Sequence, residues 1–340
     1  MMNGNQNPPL LGYTDRLSAR PGDVVQVKVS SYLEGDFKAD LARIICADPN
    51  PEGTGLIEEA IDCEFSGRYP SRIQPFTPGS CMHVSMLPET VLPTEFTVVV
   101  MIWPTRPDGG PQAVLSTESN NSGTSFLLGL DVAGRPTVRV RMPDGNWTEC
   151  CLPDPIRERR WACLWGSISQ PLGKLSVGMS QGGLDDSVTT TFTGSTVLSD
   201  QKINSIVVAA CGQGERHMHF NGKIERPTIY SAQLEPEMLR NHSEAATAPI
   251  FSCWDFSNEI SSTRVIDTGV NELHGTLVNY PARAMTGANW DGSEMCWRHA
   301  PQHYGAIHFH EDDIYDFEWE TDFSFTVPED LRSGVYGIRL

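Results

Sequence analysis

The chain is short of positive charge. Its 25 Lys and Arg stand against 43 Asp and Glu, a formal net charge of -18 over 340 residues. A surface of that sign repels phosphate backbones and anionic lipid headgroups, so neither nucleic acid nor a membrane surface is expected as a partner. Long apolar runs are missing as well, since no segment reaches the roughly 20 apolar residues of a membrane-spanning helix. The first sixteen residues show no basic stretch, apolar stretch and small-residue cleavage site in succession, so no secretory signal is read there. The nine cysteines are odd in number, irregularly spaced and free of any C-x-x-C pair. They read as free thiols serving as small core hydrophobes in a reducing, cytoplasmic compartment, although an excised piece of a secreted protein would look similar.

Catalytic signatures are equally scarce. G-x-S-x-G, H-E-x-x-H, G-x-x-x-x-G-K-[ST] and G-x-G-x-x-G do not occur. Gly212-Gln213-Gly214 lacks the third glycine and a following helix, so it reads as a turn.

Core-forming residues, by contrast, are plentiful. Hydrophobic residues make up 39% of the chain, with 8 Trp and 13 Phe, while 30 Gly and 24 Pro imply many short elements joined by turns. After the turn at Arg20, Pro21, Gly22 and Asp23, Val25, Val27 and Val29 alternate with Gln26 and Lys28 as a half-buried strand does. Strands are also expected at Leu41 to Ile45, Ile61 to Phe65 and Cys81 to Met86. A β-prone run from Phe96 is stopped by Pro104, and the same rhythm then continues to Tyr230 through segments beginning at Ala113, Ser125, Thr137, Trp161, Lys174, Val188, Asn204 and Phe220. Further strands are read at Cys253 to Phe256, Gly275 to Asn279, Phe323 to Val327 and Val335 to Leu340. A single short helix is expected at Leu234 to Ser243, with Met238 and Leu239 packed inward, followed by a linker at Ala245 to Pro249.

Regular short strands with turns between them argue an all-β fold. The expected organisation is a small Ig-like β-sandwich, residues 1–88 and 301–340, interrupted by a larger sandwich at 89–300. The end of the chain on a strand further suggests the front part of a longer polypeptide.

Several clusters could carry chemistry. His308 and His310 share a strand face and could chelate a metal with Glu311, Asp312 or Asp313. Nine Asp or Glu fall between Glu311 and Asp330 with no Lys or Arg, however, so a charged surface or subunit contact competes with that reading. His217 and His219 repeat the spacing with only Glu215 nearby. Asp185, Asp186 and Asp291 could offer oxygens to Ca²⁺, but no EF-hand loop pattern occurs. Glu225 and Asp255 are the pair to check for glycosidase-type acid and base, against a surface carboxylate and a turn cap. No complete catalytic, cofactor or metal set emerges.

Two resemblances add to this. From about Thr94 to Tyr230, Phe96-Thr97-Val98, Phe126 to Asp131, Trp161 to Leu164 and Phe220-Asn221-Gly222-Lys223-Ile224 resemble a concanavalin A-like, laminin-G-like jelly-roll sandwich. Over the whole chain the pattern is similar to the large (β) subunit of N,N-dimethylformamidase. The residues that carry it are Leu11 to Asp23, Trp254 to Ser257, His274 to Asn279 with Pro281 and Arg283, Asp312 to Asp316, Trp319 to Phe323 and Ser333 to Tyr336. This resemblance implies part of an amidohydrolase that cleaves dimethylformamide to dimethylamine and formate. It implies a mononuclear iron, held by tyrosinate and carboxylate in a later catalytic domain, and partners in the small subunit and other large subunits. The alternative is a free-standing concanavalin A-like module that binds a glycan, and an independent glycoside hydrolase is a more distant one.

Overall fold

A computed structural model describes residues 9–87, 90–182, 187–234, 239 and 248–340. The chain divides into two compact units, one of residues 1–76 with 316–340 and one of residues 77–315. In chain order the second therefore interrupts the first.

The smaller unit has two antiparallel sheets. One is ordered β1 (Leu10–Thr14), β2 (Val24–Ser31), β22 (Phe323–Thr326). The other is ordered β23 (Val335–Arg339), β3 (Asp36–Ala47), β4 (Leu56–Ile61), with β5 (Gly67–Pro70) also paired to β3. Alternation decides the inner face: Val25, Val27 and Val29 are buried while Val24 and Gln26 are exposed. They pack with Phe37, Leu41, Phe65, Phe323 and Phe325 into one core. The expected strand at Ile61 to Phe65 is instead a strand end followed by a turn. Phe65 supplies a core ring from that turn, 4.7 Å from Phe325 and 5.2 Å from Phe323, so its apolar character reflected packing and not strand period.

The larger unit contains β6 (Cys81–Ser85), β7 (Glu95–Pro104), β8 (Gln112–Ser119), β9 (Gly123–Leu130) and β10 (Pro136–Arg141). It continues with β11 (Trp147–Cys151), β12 (Ala162–Ser169), β13 (Lys174–Ser180), β14 (Ser187–Thr193) and β15 (Ser205–Val208). β16 (Gly222–Tyr230), β17 (Ile250–Asp255), β18 (Arg264–Asp267), β19 (Gly275–Val278), β20 (Ala282–Met285) and β21 (Ala306–Phe309) complete it. Hydrogen-bonded neighbours run β11-β10-β9-β8-β15-β6-β19-β18-β17-β16-β7-β12-β13-β14, with β21 beside β16 and β20 beside β21. The path folds over on itself, so the inward rings of Phe96 on β7 and Phe126 on β9 meet edge-on at 5.0 Å. Both are fully buried, each burial worth roughly 1.5–3 kcal/mol. The fold is thus all-β, a large antiparallel sandwich set within the sequence of a smaller one.

The divisions differ from those read in the sequence, 88/89 and 300/301. β6 hydrogen-bonds β15 and β19, and β21 hydrogen-bonds β16, which draws both flanking segments into the larger unit. β1, β5, β11, β18 and β20, short strands without clean alternation, were not legible beforehand. The expected helix at Leu234 to Ser243 and the linker after it lie largely outside the described residues. Of that stretch, Leu234 and Leu239 are buried beside Trp165.

Candidate functional site

The outer face of β16 gathers the most chemistry. Strand pairing places Lys223 opposite His308 on one side and Trp103 on the other, so the three side chains share one row. The Lys223 ammonium stands 5.3 Å from the Trp103 ring and 5.9 Å from the Trp161 ring, and Nζ donates to Thr286 Oγ1 at 2.9 Å. Burial holds the Lys223 pKa below its ordinary value.

The His308 and His310 rings lie 4.0 Å apart. Burial, then the neighbouring His310 and Lys223, push His308 down to about 4. His310 Nδ1 is 3.4 Å from Asp313 Oδ1, while Asp313 Oδ2 accepts the Ser80 hydroxyl at 2.6 Å. Asp313 is thus tied into the turn that carries Ser80, and Glu311 pairs with Arg106 at 2.5 Å. Among the described residues, no three His, Cys, Asp or Glu side chains converge as a metal set. The expected chelate at His308 and His310 thus finds no convergent third ligand among the described residues, with Glu311 held by Arg106 and Asp313 shared between His310 and Ser80.

His217 and His219 flank Met218, whose backbone is left-handed (φ 54). His217 closes a bridge with Cys211, and His219 turns under Gly79, its Nδ1 bonded to the Ser80 carbonyl at 3.2 Å. The Gly212 to Gly214 segment is a turn, as expected, with Gly212 N donating to the buried Glu118 carboxylate at 3.0 Å. Asp185 and Asp186 lie outside the described residues. Asp291 caps its own turn by accepting Ser293 N at 2.9 Å.

Glu225 and Asp255 do come together, and the charge of Asp255 adds to burial in raising the Glu225 pKa. The expectation of a surface position fails for Glu225, because the loop before β21 folds over it and Ala288 N donates to its Oε2 at 2.7 Å. A Cβ at Gly287 would overlap its carboxylate, so a residue without a side chain is needed there for the loop to approach Glu225 this closely. Asp255 is the turn cap that was expected, accepting Ser257 N at 3.0 Å and Ser257 Oγ at 2.6 Å. Both side chains are half-buried, and the raised acid is engaged by the loop backbone.

Tyr13 is engaged within the smaller unit: its hydroxyl donates to Asp316 Oδ1 at 2.6 Å, and burial together with that bond pushes its pKa up to about 12. Tyr69 and Tyr230 are also raised, chiefly by burial. A cavity of about 540 Å³ lies in the smaller unit, with Val25, Val27, Leu41 and Phe325 among its lining residues. Sequence reasoning missed it, since every lining residue there reads as ordinary core or loop.

Fold and site together describe a β-sandwich protein in which several candidate groups, Asp255, Asp313 and Glu225 among them, are engaged by their own surroundings. The family model described as "N,N-dimethylformamidase beta subunit-like, C-terminal" matches residues 282–340. The chain is 31% identical over 97% of its length to the N,N-dimethylformamidase beta subunits of an Alcaligenes species and of Paracoccus aminophilus. The resemblance read from the sequence is thereby borne out. The match covers 47% of each relative, so the chain spans about half the length of the curated relatives it matches. Among solved structures, a heptameric SAP-like pentraxin from Limulus polyphemus overlaps 51% of this chain and 78% of its own at 15% identity, TM-score 0.36. The CBM40 of a Ruminococcus gnavus sialidase, bound to sialyllactose, overlaps 48% of this chain and 91% of its own at 15% identity, TM-score 0.39. Overlaps this loose define no ligand for this chain.

Proposed function

We propose that this chain is the scaffold and subunit-contact portion of an N,N-dimethylformamidase-like amidohydrolase, which as a whole converts dimethylformamide and water to dimethylamine and formate. The observation that carries this is the 31% identity along 97% of the chain to beta subunits about twice as long. Amide hydrolysis needs an electrophile at the carbonyl and an activated water. In this reading an iron centre outside these residues supplies both, in a cytoplasmic enzyme built with small subunits and further large ones. The state of the local groups favours the scaffold role: Asp255 is spent on a turn, Asp313 on Ser80, and Glu225 lies beneath a loop.

The test is hydrolysis by the purified chain, followed as dimethylamine release. The expected result is none from the chain alone, and turnover once the remaining parts of such an enzyme are co-produced with it. Turnover by the isolated chain would overturn the scaffold reading, and so would saturable binding of a defined sugar in calorimetry.

A further inference from the structure

The cavity of the smaller unit lies where its sandwich is unfinished. Among the described residues β1 pairs only with β2 and β23 only with β3, and both line the cavity through Gly12, Tyr13, Val335 and Ile338. Two free strand edges thus flank an opening that leads down to Val25, Val27, Leu41 and Phe325. All five residues of β1, including the apolar Leu10 and Leu11, are half-buried. An edge exposing unpaired N–H and C=O groups over an open core is a template for one more strand.

Two further observations point to a polypeptide occupant over a small molecule. Leu17 is fully exposed at 104%, yet its loop is firmly held: Asp15 Oδ1 accepts Gln26 N at 2.8 Å, Asp23 Oδ2 accepts Arg20 N at 2.8 Å, and Arg16 pairs with Asp15 at 3.1 Å. A hydrogen-bonded loop that holds a leucine outward beside a cavity extends the apolar surface beyond what a small ligand would cover. Val335 on the β23 edge is 68% exposed and continues that surface. The charge is also distinctive. In a chain with 43 acids, the cavity lining contains no Asp or Glu, and its charged side chains are Arg16 and Arg332.

We propose that this opening receives an extended segment of the beta-subunit length that lies beyond the match with this chain, pairing with the β23 edge. Alternate apolar side chains of the segment would enter the cavity, and a carboxylate at its flank would meet Arg332. The choice of occupant rests on the reading above, because the curated relatives carry a further half in the same polypeptide.

The experiment titrates the purified chain with overlapping peptides that cover the unmatched length of the Paracoccus aminophilus subunit, read by fluorescence anisotropy and amide hydrogen exchange. One peptide with alternating apolar residues should bind saturably and protect amides of β23 and β1. Leu17→Glu, at an exposed loop tip, should weaken that binding about tenfold, or about 1.4 kcal/mol, while leaving the melting temperature unchanged. The proposal falls if no peptide binds, if binding leaves the β23 and β1 amides unprotected, or if the variant binds as tightly. It falls too if a second copy of the chain or a simple apolar carboxylate such as decanoate fills the opening with equal avidity. Docking could fail while the assembled enzyme still needs this chain for turnover, and that result would separate the present proposal from the functional reading it builds on.

Discussion

Asp322 accepts a hydrogen bond from Arg72 Nε at 2.7 Å across 250 positions of sequence. The same carboxylate accepts Val29 N at 2.7 Å and Gln74 Nε2 at 3.1 Å, so one side chain ties the returning strand β22 to the first part of the smaller unit. Arg72 is held further by Glu320 at 2.6 Å, and these acids keep its pKa above the ordinary arginine value. The Asp322 side chain is only 7% exposed, so losing it strands a buried backbone donor.

Asp322→Ala should therefore cost about 2–4 kcal/mol in the smaller unit, more than the loss of an exposed ion pair. Trp319 is the only tryptophan in that unit's sequence. Its emission, taken by difference against Trp319→Phe in urea titrations, reports the loss.

Arg283 is half-buried and donates to five backbone carbonyls, those of Phe256, Asn258, Glu259, Ser262 and Arg264, at 2.8 to 3.1 Å. A planar fork can serve so many acceptors, whereas an ammonium has three donors on one atom. Arg283→Lys should destabilise the larger unit by roughly 2–3 kcal/mol, as carbonyls in the loop after β17 lose partners. Thermal unfolding of variant and parent checks it, and equal melting temperatures would show that the cage contributes nothing.

Acid should weaken the fold through His308. Its folded pKa, about 4, is below the unfolded value near 6.5, so the folded state favours the neutral ring. That contribution is complete above pH 6.5 and is lost as pH falls from there through about 4. Since the side chain is partly exposed, roughly 1–2 kcal/mol is the expected size after allowing for screening. Urea midpoints at neutral and acid pH should differ less in His308→Gln than in the parent, and parallel pH dependences would refute the assignment.

Thiol reactivity should follow burial. Cys81 and Cys163 are pushed up to about 11 and Cys211 to about 12, in each case chiefly by burial, and all nine cysteines are free. Iodoacetamide at mildly alkaline pH should spare the buried Cys81 and Cys211 and label the half-buried Cys46 and Cys296 first, with Cys163, half-buried but raised, reacting after them, as mapped by peptide mass spectrometry.

What the sequence by itself determined is local. Period-two alternation at Val25, Val27 and Val29, and the β-prone run closed by Pro104, dictate strands and their inward faces, since side chains on successive residues of an extended chain must point oppositely. The same patterning identified the all-β class and the interrupted order of the two sandwiches. Asp255 as a turn cap was equally legible, because its partner Ser257 lies two residues away.

Only the tertiary structure decided which groups meet. Glu225 reads as a surface acid until the loop carrying Gly287 and Ala288 closes over it, and His308 acquires its low pKa chiefly from burial by the strands around it, with His310 and then Lys223 on β16 adding to it. The partnership of Arg72 with Asp322 and the unfinished edge at β23 likewise arise from pairings hundreds of residues apart. Local pattern sets which way a side chain points, but burial and charge depend on what the rest of the chain places opposite it, and sequence spacing carries no record of that.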